Sequence, residues 1–399
     1  MITCPVFNPT SPRFQSNPYV VYRQWLDDGL PILSLGPGRW LVTRYADVAA
    51  ALKDDAAFVR ARDTALVALP PGPFRDYNYN IMAMMDRPQH TQVRGVVARA
   101  FAPRALAHVE ARLDTLAEAL LDTIDPSEPF DVLETFATRL PLYVICDLIG
   151  VGYEYEALLK RVSTGLTRGS EVFATPAVRA EADEVCRLMH EMLEAEIARR
   201  AREGGGREDD LISVLLNSEQ DGTLTRAEVF ENITFMLAAG HETTTNLILS
   251  GLNLLIDNPA QAARLRSDES LIANAVEEFL RLEPPLHLTP RSAAYDMEIG
   301  GQAIQAGESV VLCLASANRD PAMFAEPDML DVGRSNSRDH LSFIRGIHTC
   351  LGAHLARMEG RTAFKAFLRR YHRFERVGAS PVASGFIFRG RSRLVMRAG

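Results

Sequence analysis

Apolar residues recur at helical spacing through most of this chain. They return every three or four residues in Leu106 to Ile124 and in Ala177 to Arg202, which predicts two amphipathic helices. A longer candidate begins at Thr225, where TRAE matches a capping box completed by Glu228, and it continues to Asn258. This segment is mostly apolar and longer than a typical helix, so it is expected to run through the core.

Strand-like runs are short by comparison. A further helix is predicted from Asn274 to Leu282, before two prolines that cannot continue it. The glycine-rich stretch EGGGREDD, Glu203 to Asp210, is interpreted as a surface loop and not a domain boundary, because helical patterns adjoin it on both sides. The pattern therefore predicts one domain over residues 1–399, mainly α with minor β. The candidate strands are Arg39 to Thr43, Met297 to Ile299 and Ser309 to Leu314.

Composition narrows the classes of function. The chain is 47% hydrophobic and 24% charged, as in ordinary globular proteins, and its net charge of −8 does not suggest a nucleic-acid partner. No apolar run is long enough to span a bilayer, so no membrane span is expected. An odd number of widely spaced cysteines argues against a disulfide framework and favours a reducing, cytoplasmic location. The cysteines are Cys4, Cys146, Cys186, Cys313 and Cys350.

The middle of the long apolar helix contains an unusual polar stretch, AGHETTT, at Ala239 to Thr245. Glycine in a helix interior costs about 1 kcal/mol relative to alanine, and buried polar side chains need partners. The structural explanation is a packing glycine with threonine hydroxyls bonded to the preceding turn. The functional explanation is that a glycine, an acid and a hydroxyl this close together serve a small ligand and a proton relay.

The segment SFIRGIHTCLGAHLAR places Cys350 just before a good helix. The positive end of a helix dipole stabilises a thiolate, and the flanking glycines permit a tight loop close to a flat ligand. Three interpretations stay open on this segment alone: a buried structural cysteine, a zinc site with too few ligands, or a single thiolate bound to haem iron.

Four motifs occur along the chain: HTQVR with His90 and Arg94, AGHET from Ala239 to Thr243, EEFLR with Glu278 and Arg281, and FIRGIHTCLG from Phe343 to Gly352. In this order they make the chain resemble a bacterial cytochrome P450, a haem-thiolate monooxygenase. Each motif is weak alone, but the ordered set is specific and extends over nearly the whole chain. ANRDP at Ala317 to Pro321 and the stretch around Arg291 also resemble the family.

The chain departs from the family pattern at two positions. Ile344 stands where the family usually has glycine, and Met329 stands where an arginine often joins the network of Glu278 and Arg281. These departures concern the rigidity of the cysteine side of the site, and Arg334 is a nearby substitute for the missing arginine.

The resemblance implies haem b (iron protoporphyrin IX) as cofactor, with Cys350 as its axial metal ligand. Glu242 and Thr243 are the implied catalytic residues for proton delivery to O2. Glu278 and Arg281 are expected to form a structural pair. Further implied cofactor-binding residues are His90, Arg94, Ala239, Gly240, Arg291, Phe343, His348 and Gly352, of which the histidines and arginines would bind the haem carboxylates.

The resemblance also locates a substrate pocket. Its regions are mostly apolar, which predicts a mainly hydrophobic small organic substrate, hydroxylated or epoxidised in natural-product biosynthesis or catabolism. The loop from Leu66 to Met85 is expected to contribute, and its tyrosines and asparagines would offer hydrogen bonds to a polar handle. The other pocket residues are Phe235, Ala238, His287, Thr289 and Ile387.

Electrons are expected from separate partners, a ferredoxin and an NAD(P)H-dependent reductase, because the sequence after Cys350 leaves no room for a fused reductase. Alternatives are a peroxide-driven oxygenase, against which the intact Glu242 and Thr243 argue, and a haem-thiolate binding protein without turnover. The remaining alternative is a helical protein that binds no haem and in which the cysteine is incidental. A basic docking face for an acidic partner is predicted from Arg99, Arg104, Arg345, Arg357 and Arg361.

Overall fold

The computed structural model describes residues 6–204, 206–383 and 385–399. Cys4 lies outside this range. The α-helices are α1 Pro12–Ser16, α2 Pro18–Asp27, α3 Tyr45–Lys53, α4 Arg62–Ala65, α5 Pro73–Asn80, α6 Gln89–Val97, α7 Pro103–Asp122, α8 Arg139–Ile149, α9 Glu156–Gly169, α10 Pro176–Glu203, α11 Leu211–Gln220, α12 Arg226–Asp257, α13 Pro259–Ser267, α14 Ile272–Leu282, α15 Leu314–Ala317 and α16 Ala353–Arg370. The strands are β1 Ile32–Gly36, β2 Arg39–Val42, β3 Phe58–Val59, β4 Phe130–Asp131, β5 Leu288–Ala293, β6 Met297–Ile299, β7 Gln302–Ile304, β8 Ser309–Cys313, β9 Phe374–Arg376 and β10 Val395–Ala398.

The long predicted helix is α12, and its start is fixed by the predicted capping box. The hydroxyl of Thr225 accepts a hydrogen bond from the backbone N–H of Glu228, and the Glu228 carboxylate accepts one from the N–H of Thr225. The helix ends at Asp257, before Asn258 and Pro259. Most of its residues are buried, and it packs against helices on several sides, including α8, α9 and α16.

The other predicted helices are close to the observed ones. Helix α7 starts at Pro103, three positions before the predicted Leu106, because proline at the first helical position leaves no amide unsatisfied. Helix α10 begins at Pro176 after Thr175, whose hydroxyl accepts from Val178 N–H. The segment from Leu66 to Met85, expected to be a loop, contains α5.

Strands form a small mixed sheet beside the helices. Its order is β1-β2-β8-β5-β3, with β2 and β8 parallel and the other pairs antiparallel. Strand β8 ends at Cys313 because Leu314 begins α15. One face of the sheet packs on α3, and the other packs on α1 and α2. A second sheet, β4-β10-β9, joins the middle of the chain to its last residues.

No helix in the described ranges is long and apolar enough to cross a membrane. The loop from Glu203 to Asp210 connects α10 and α11 as expected, and Gly205 within it lies outside the described residues. Asp210 is buried rather than exposed, since its carboxylate caps α11 through the N–H of Ser213 and pairs with Arg200. The Arg200–Asp210 pair therefore links the last turns of α10 to the start of α11.

Candidate active site

The Cys350 thiol lies in a tight loop that leads into α16. Of the four free cysteines in the described ranges, Cys350 is exposed and the other three are buried. Protein atoms nevertheless surround the thiol closely, so it faces a recess and not open solvent. Burial raises the pKa of the Cys350 thiol, and the Gly352 backbone N–H, Arg94 and Arg357 lower it less. A bound metal cation would reverse this balance and deprotonate the sulfur.

The backbone holds this loop in shape. The N–H of Cys350 donates to the carbonyl of Phe343 at 2.8 Å, which closes the loop. Gly346 has φ of +75°, and a Cβ there would overlap the carbonyl oxygen of Leu52. Glycine is therefore required at 346. Ile344 also has a positive φ, +58°, in a region where β-branched residues are rare.

One face of α12 is only partly buried in its middle. Phe235, Ala239, Gly240, Glu242 and Thr243 share this partial exposure, while most of their neighbours along the helix are buried. Spacings of four and of seven or eight residues place Phe235, Ala239 and the Glu242–Thr243 pair on one side of the helix. The predicted catalytic pair and two of the other predicted site residues on α12 are therefore on one accessible face.

The polar residues of this face divide into different environments. Burial raises the pKa of the Glu242 carboxyl, and Lys160 opposes the change. The Thr243 hydroxyl donates to the carbonyl of Ala239 at 2.6 Å, and the Thr245 hydroxyl donates to that of His241 at 2.9 Å. The structural explanation, in which threonine hydroxyls bond to the preceding turn, therefore holds for Thr245 and also for Thr243.

Gly240 has a packing explanation. A Cβ at this position would come within 3.0 Å of Cδ1 of Ile145 on α8. The absent side chain therefore allows α8 to approach α12 closely. The structure favours helix packing over space for a ligand as the reason for glycine at 240.

The four residues predicted to bind haem carboxylates lie together. The rings of His90 and His348 are in edge contact with centroids 4.5 Å apart. Arg94 donates to the carbonyl of Thr349 at 2.6 Å, and Arg291 is buried, with its Nη1 donating to the hydroxyl of Thr289. Burial first, and then the surrounding cations, lower the pKa of His348 and of His90, the latter to about 4.

Arg60 belongs to this group, although sequence reasoning missed it. Among the surrounding cations, Arg60 lowers the pKa of His348 the most, and it also lowers the pKa of Arg291. Asp86 accepts from the backbone N–H groups of Arg60 and Ala61, at 2.8 and 3.0 Å, and so fixes the turn that carries this arginine. A lone arginine in a short strand region carries no motif, so no sequence signal would have found it.

The group is poor in negative charge. Asp86 is the carboxylate that opposes burial for Arg60, Arg291 and His90. Two buried nitrogens, Nε of Arg60 and Nε2 of His90, have no hydrogen-bond partner. Unpaired donors and excess positive charge beside an accessible thiol fit a ligand that brings two carboxylates and a thiolate-binding metal, which is the chemistry of haem.

Glu278 and Arg281 form a fully buried pair behind the cysteine loop. The Arg281 guanidinium contacts both carboxylate oxygens of Glu278, at 2.7 and 2.8 Å. Arg334 adds a third contact, from its Nε to Glu278 at 2.9 Å. Met329 participates through its backbone carbonyl, which accepts from both arginines, while its side chain is exposed. Arg334 thus stands where the missing arginine was expected to act.

The predicted pocket residues differ in burial and in their hydrogen bonds. Ala238 and Thr289 are buried, and Ile387 is partly buried. His287 is buried, and its ring nitrogens contact the hydroxyls of Tyr22 at 3.2 Å and Tyr19 at 3.3 Å. Two tyrosines of α2 thus occupy its ring nitrogens, and its place in the pocket stays a prediction.

The predicted basic face is smaller than expected. Arg357 forms two hydrogen bonds with the Glu277 carboxylate and stacks over the Phe343 ring. Arg345 donates to the Tyr45 hydroxyl at 2.7 Å. Arg99 and Arg104 are exposed and Arg361 is partly exposed, so these three are the more available cations of the five.

Comparison with known proteins agrees with this geometry. The family model described as Cytochrome P450 matches residues 171–378. The polyketide biosynthesis cytochrome P450 PksS of Bacillus subtilis is 32% identical, over 92% of this chain and 91% of its own length. The 6-deoxyerythronolide B hydroxylase of Saccharopolyspora erythraea is 36% identical over 86% and 85%. The crystal structure of P450BioI with an acyl carrier protein superposes with a TM-score of 0.88 at 31% identity, over 97% of this chain and 100% of that one.

Proposed function

Because the chain belongs to the cytochrome P450 family and is a haem-dependent monooxygenase, we propose that it hydroxylates or epoxidises a mainly hydrophobic small organic substrate. The reaction consumes O2 and electrons from an external donor, and one oxygen atom enters the substrate. The observation that carries the proposal is the unbalanced cation group, Arg60, Arg94 and Arg291, beside the accessible Cys350 thiol.

We propose haem b as the cofactor, held by residues on two sides. Cys350 would supply the thiolate that binds the haem iron, and Phe343 would shield its loop. The cations bind the two carboxylates, where the forked donors of arginine suit a carboxylate. Bound haem supplies the activation of O2, and a thiolate ligand favours cleavage of the O–O bond. The carboxylate-binding residues are Arg60, His90, Arg94, Arg291 and His348.

Glu242 and Thr243 supply and hold protons in this proposal. The raised pKa of the Glu242 carboxyl keeps it partly protonated closer to neutral pH, so it can donate. The hydroxyl hydrogen of Thr243 is engaged by the carbonyl of Ala239, which leaves the oxygen lone pairs free to accept. Thr243 would therefore hold a water or a protonated oxygen in place, while Glu242 passes the proton.

The substrate we propose is an apolar natural-product intermediate of the polyketide type. One of the relatives above acts in polyketide biosynthesis by its name, another is a hydroxylase of 6-deoxyerythronolide B by its name, and the proposed pocket residues are mostly apolar. Phe235, Ala238 and Ile387 would form apolar walls, and Thr289 would lie near the carboxylate-binding group through its contact with Arg291.

We propose a ferredoxin, reduced by an NAD(P)H-dependent reductase, as the electron donor. A compact acidic protein would meet Arg99, Arg104 and Arg361 on the cysteine side of the molecule. Complementary charge raises the rate of such encounters more than their affinity.

The test is the absorbance difference spectrum of the reduced protein with and without carbon monoxide. We expect a strongly red-shifted Soret band, which is lost in Cys350→Ala and retained in Cys186→Ala, whose thiol is buried elsewhere. A band typical of histidine-ligated haem, or no bound haem, would overturn the proposal. Turnover with surrogate redox partners then separates a monooxygenase from a protein that only binds haem.

A further inference from the structure

One carboxylate joins two segments that are far apart in sequence. Glu171 lies in the turn between α9 and α10, and it accepts hydrogen bonds from three consecutive backbone N–H groups near the end of the chain. Its Oε2 accepts from Phe386 at 2.7 Å and from Ile387 at 3.0 Å, and its Oε1 accepts from Phe388 at 2.8 Å. Hydrogen bonds to an ionised acceptor are stronger than those between neutral groups, so these three bonds hold the two segments together firmly. They are called the Glu171 tie below.

The segment that Glu171 binds is held on its other edge by the lead into β5. The N–H of His287 donates to the carbonyl of Ile387 at 2.8 Å, and Leu286 and Phe388 form an isolated β-bridge. Gly385 closes a tight turn, because a Cβ there would overlap the carbonyl oxygen of Phe388. The segment has a defined shape, and its amides are presented together to the carboxylate.

A residue of α10 also stabilises the turn that contains Glu171. Arg179 of α10 donates to the backbone carbonyls of Gly169 and Glu171. Across the gap, the ring of Phe173 meets that of Phe386 with centroids 6.1 Å apart, although Phe173 is about half exposed. The carboxylate therefore makes the polar tie between the turn and the 386–388 segment, and the aromatic contact is open to solvent on one side.

We propose that Glu171 determines the size of ligand that reaches the haem pocket, which rests on the proposed function through Ile387 as a pocket wall. All three hydrogen bonds end on one side chain, so displacement of the turn breaks them together. A small ligand can enter while the tie is closed. A bulky ligand must displace the turn or the Ile387 wall, and its entry and exit rates depend on the tie.

The experiment uses the haem-loaded protein and azoles of increasing bulk that bind ferric haem iron: imidazole, 4-phenylimidazole and clotrimazole. In Glu171→Ala we expect clotrimazole to associate and dissociate at least about tenfold faster, and imidazole to change by less than about twofold. Glu171→Gln should lie between, since its amide nitrogen is a donor that faces backbone donors. Glu181→Ala is the control, because it removes an acid that pairs on the surface with Arg161.

Amide hydrogen exchange gives a readout that does not depend on azole binding. The peptide containing 386–388 should exchange at least about tenfold faster in Glu171→Ala, and at the wild-type rate in Glu181→Ala. Unchanged exchange at 386–388, or equal acceleration of all three azoles, would overturn this inference and leave the proposed function intact. A wild-type protein that binds no azole would instead overturn the proposed function itself.

Discussion

At the scale of single residues, the backbone of Ile344 in the cysteine loop is strained. Ile344 has φ of +58°, which is unfavourable for any residue with a Cβ, by about 1–2 kcal/mol. Its side chain partly offsets the cost by packing against the cluster that contains Val48, Leu52 and Leu341. Compared with glycine at this position, Ile344 therefore adds apolar contacts to the cysteine loop but also adds backbone strain.

Alanine and glycine at 344 separate these two effects. Both remove the packing, but only glycine removes the strain, so we expect Ile344→Gly to be more stable than Ile344→Ala by about 1 kcal/mol. Urea unfolding of the two holoproteins measures the difference. At Ala356, inside α16, glycine should instead be less stable than alanine by about 1 kcal/mol. An Ile344→Ala protein as stable as Ile344→Gly would show that the backbone is not strained.

A second residue, Glu359 of α16, has a buried carboxyl whose Oε2 has no hydrogen-bond partner. Burial raises its pKa well above the ordinary value of 4.5. The folded state therefore keeps a proton that the unfolded state has lost, and stability falls as pH rises from about 4.5 towards the folded pKa.

Glu359→Gln removes this proton uptake while keeping the shape. We expect the stability of the variant relative to wild type to increase from pH 5 to pH 7, by at most about 1.4 kcal/mol per pH unit. Thermal unfolding across that range measures the change. Glu375→Gln, at an exposed glutamate, is the control. A constant difference between Glu359→Gln and wild type at all pH values would refute the raised pKa.

At the scale of elements, Glu278 of α14 organises the chain from Ala325 to Arg334. Arg334 reaches back to Glu278 and also donates to the carbonyls of Ala325, Glu326 and Met329. One guanidinium thus binds several carbonyls of a stretch that forms turns but no helix or strand. The exposed Met329 side chain has no part in this arrangement.

Arg334→Ala should therefore destabilise the protein by about 2–3 kcal/mol, since it removes a hydrogen bond to the buried Glu278 carboxylate and the hydrogen bonds to three backbone carbonyls. Met329→Ala should stay within about 0.5 kcal/mol of wild type. Glu278→Ala leaves two arginines without their carboxylate and should yield little haem-loaded protein, at a cost of about 3–5 kcal/mol. Denaturant unfolding and haem content check all three, and normal haem content in Glu278→Ala would contradict the structural role.

At the scale of the molecule, elements that are far apart in the sequence pair and pack with one another. Strand β10 pairs with β4 and β9, and α12 packs against α5 and α16. We infer one domain from this interleaving. The available basic residues Arg99, Arg104 and Arg361 are outside the ion pair that holds Arg357 and the hydrogen bonds that hold Arg345.

Charge reversal tests the docking face. Arg104 has an 87% exposed side chain, so Arg104→Glu should leave folding intact. We expect it to slow reduction by a ferredoxin several-fold at low salt and to flatten the salt dependence of the rate. Arg187→Glu, an exposed cation on α10, is the matched control. Stopped-flow reduction at several ionic strengths measures both, and an unchanged salt dependence in Arg104→Glu would exclude this face.

The sequence by itself determined the features that depend on local pattern. Periodicity and capping predicted α7, α10, α12 and α14 to within a few residues, since these signals are written in neighbouring positions. Motif spacing brought Cys350, the carboxylate-binding residues and the Glu242–Thr243 pair to attention. The mainly α fold and the family followed from the same patterns.

Only the tertiary structure decided the features that depend on contacts between distant positions. Arg60 joins the cation group through a turn fixed by Asp86, and Arg334 replaces an arginine expected at Met329. The ring of His287 contacts two tyrosine hydroxyls that α2 brings to it, and Glu171 meets amides that lie 215 to 217 positions later. Each of these depends on how separate segments pack, and packing geometry has no local signal in the sequence.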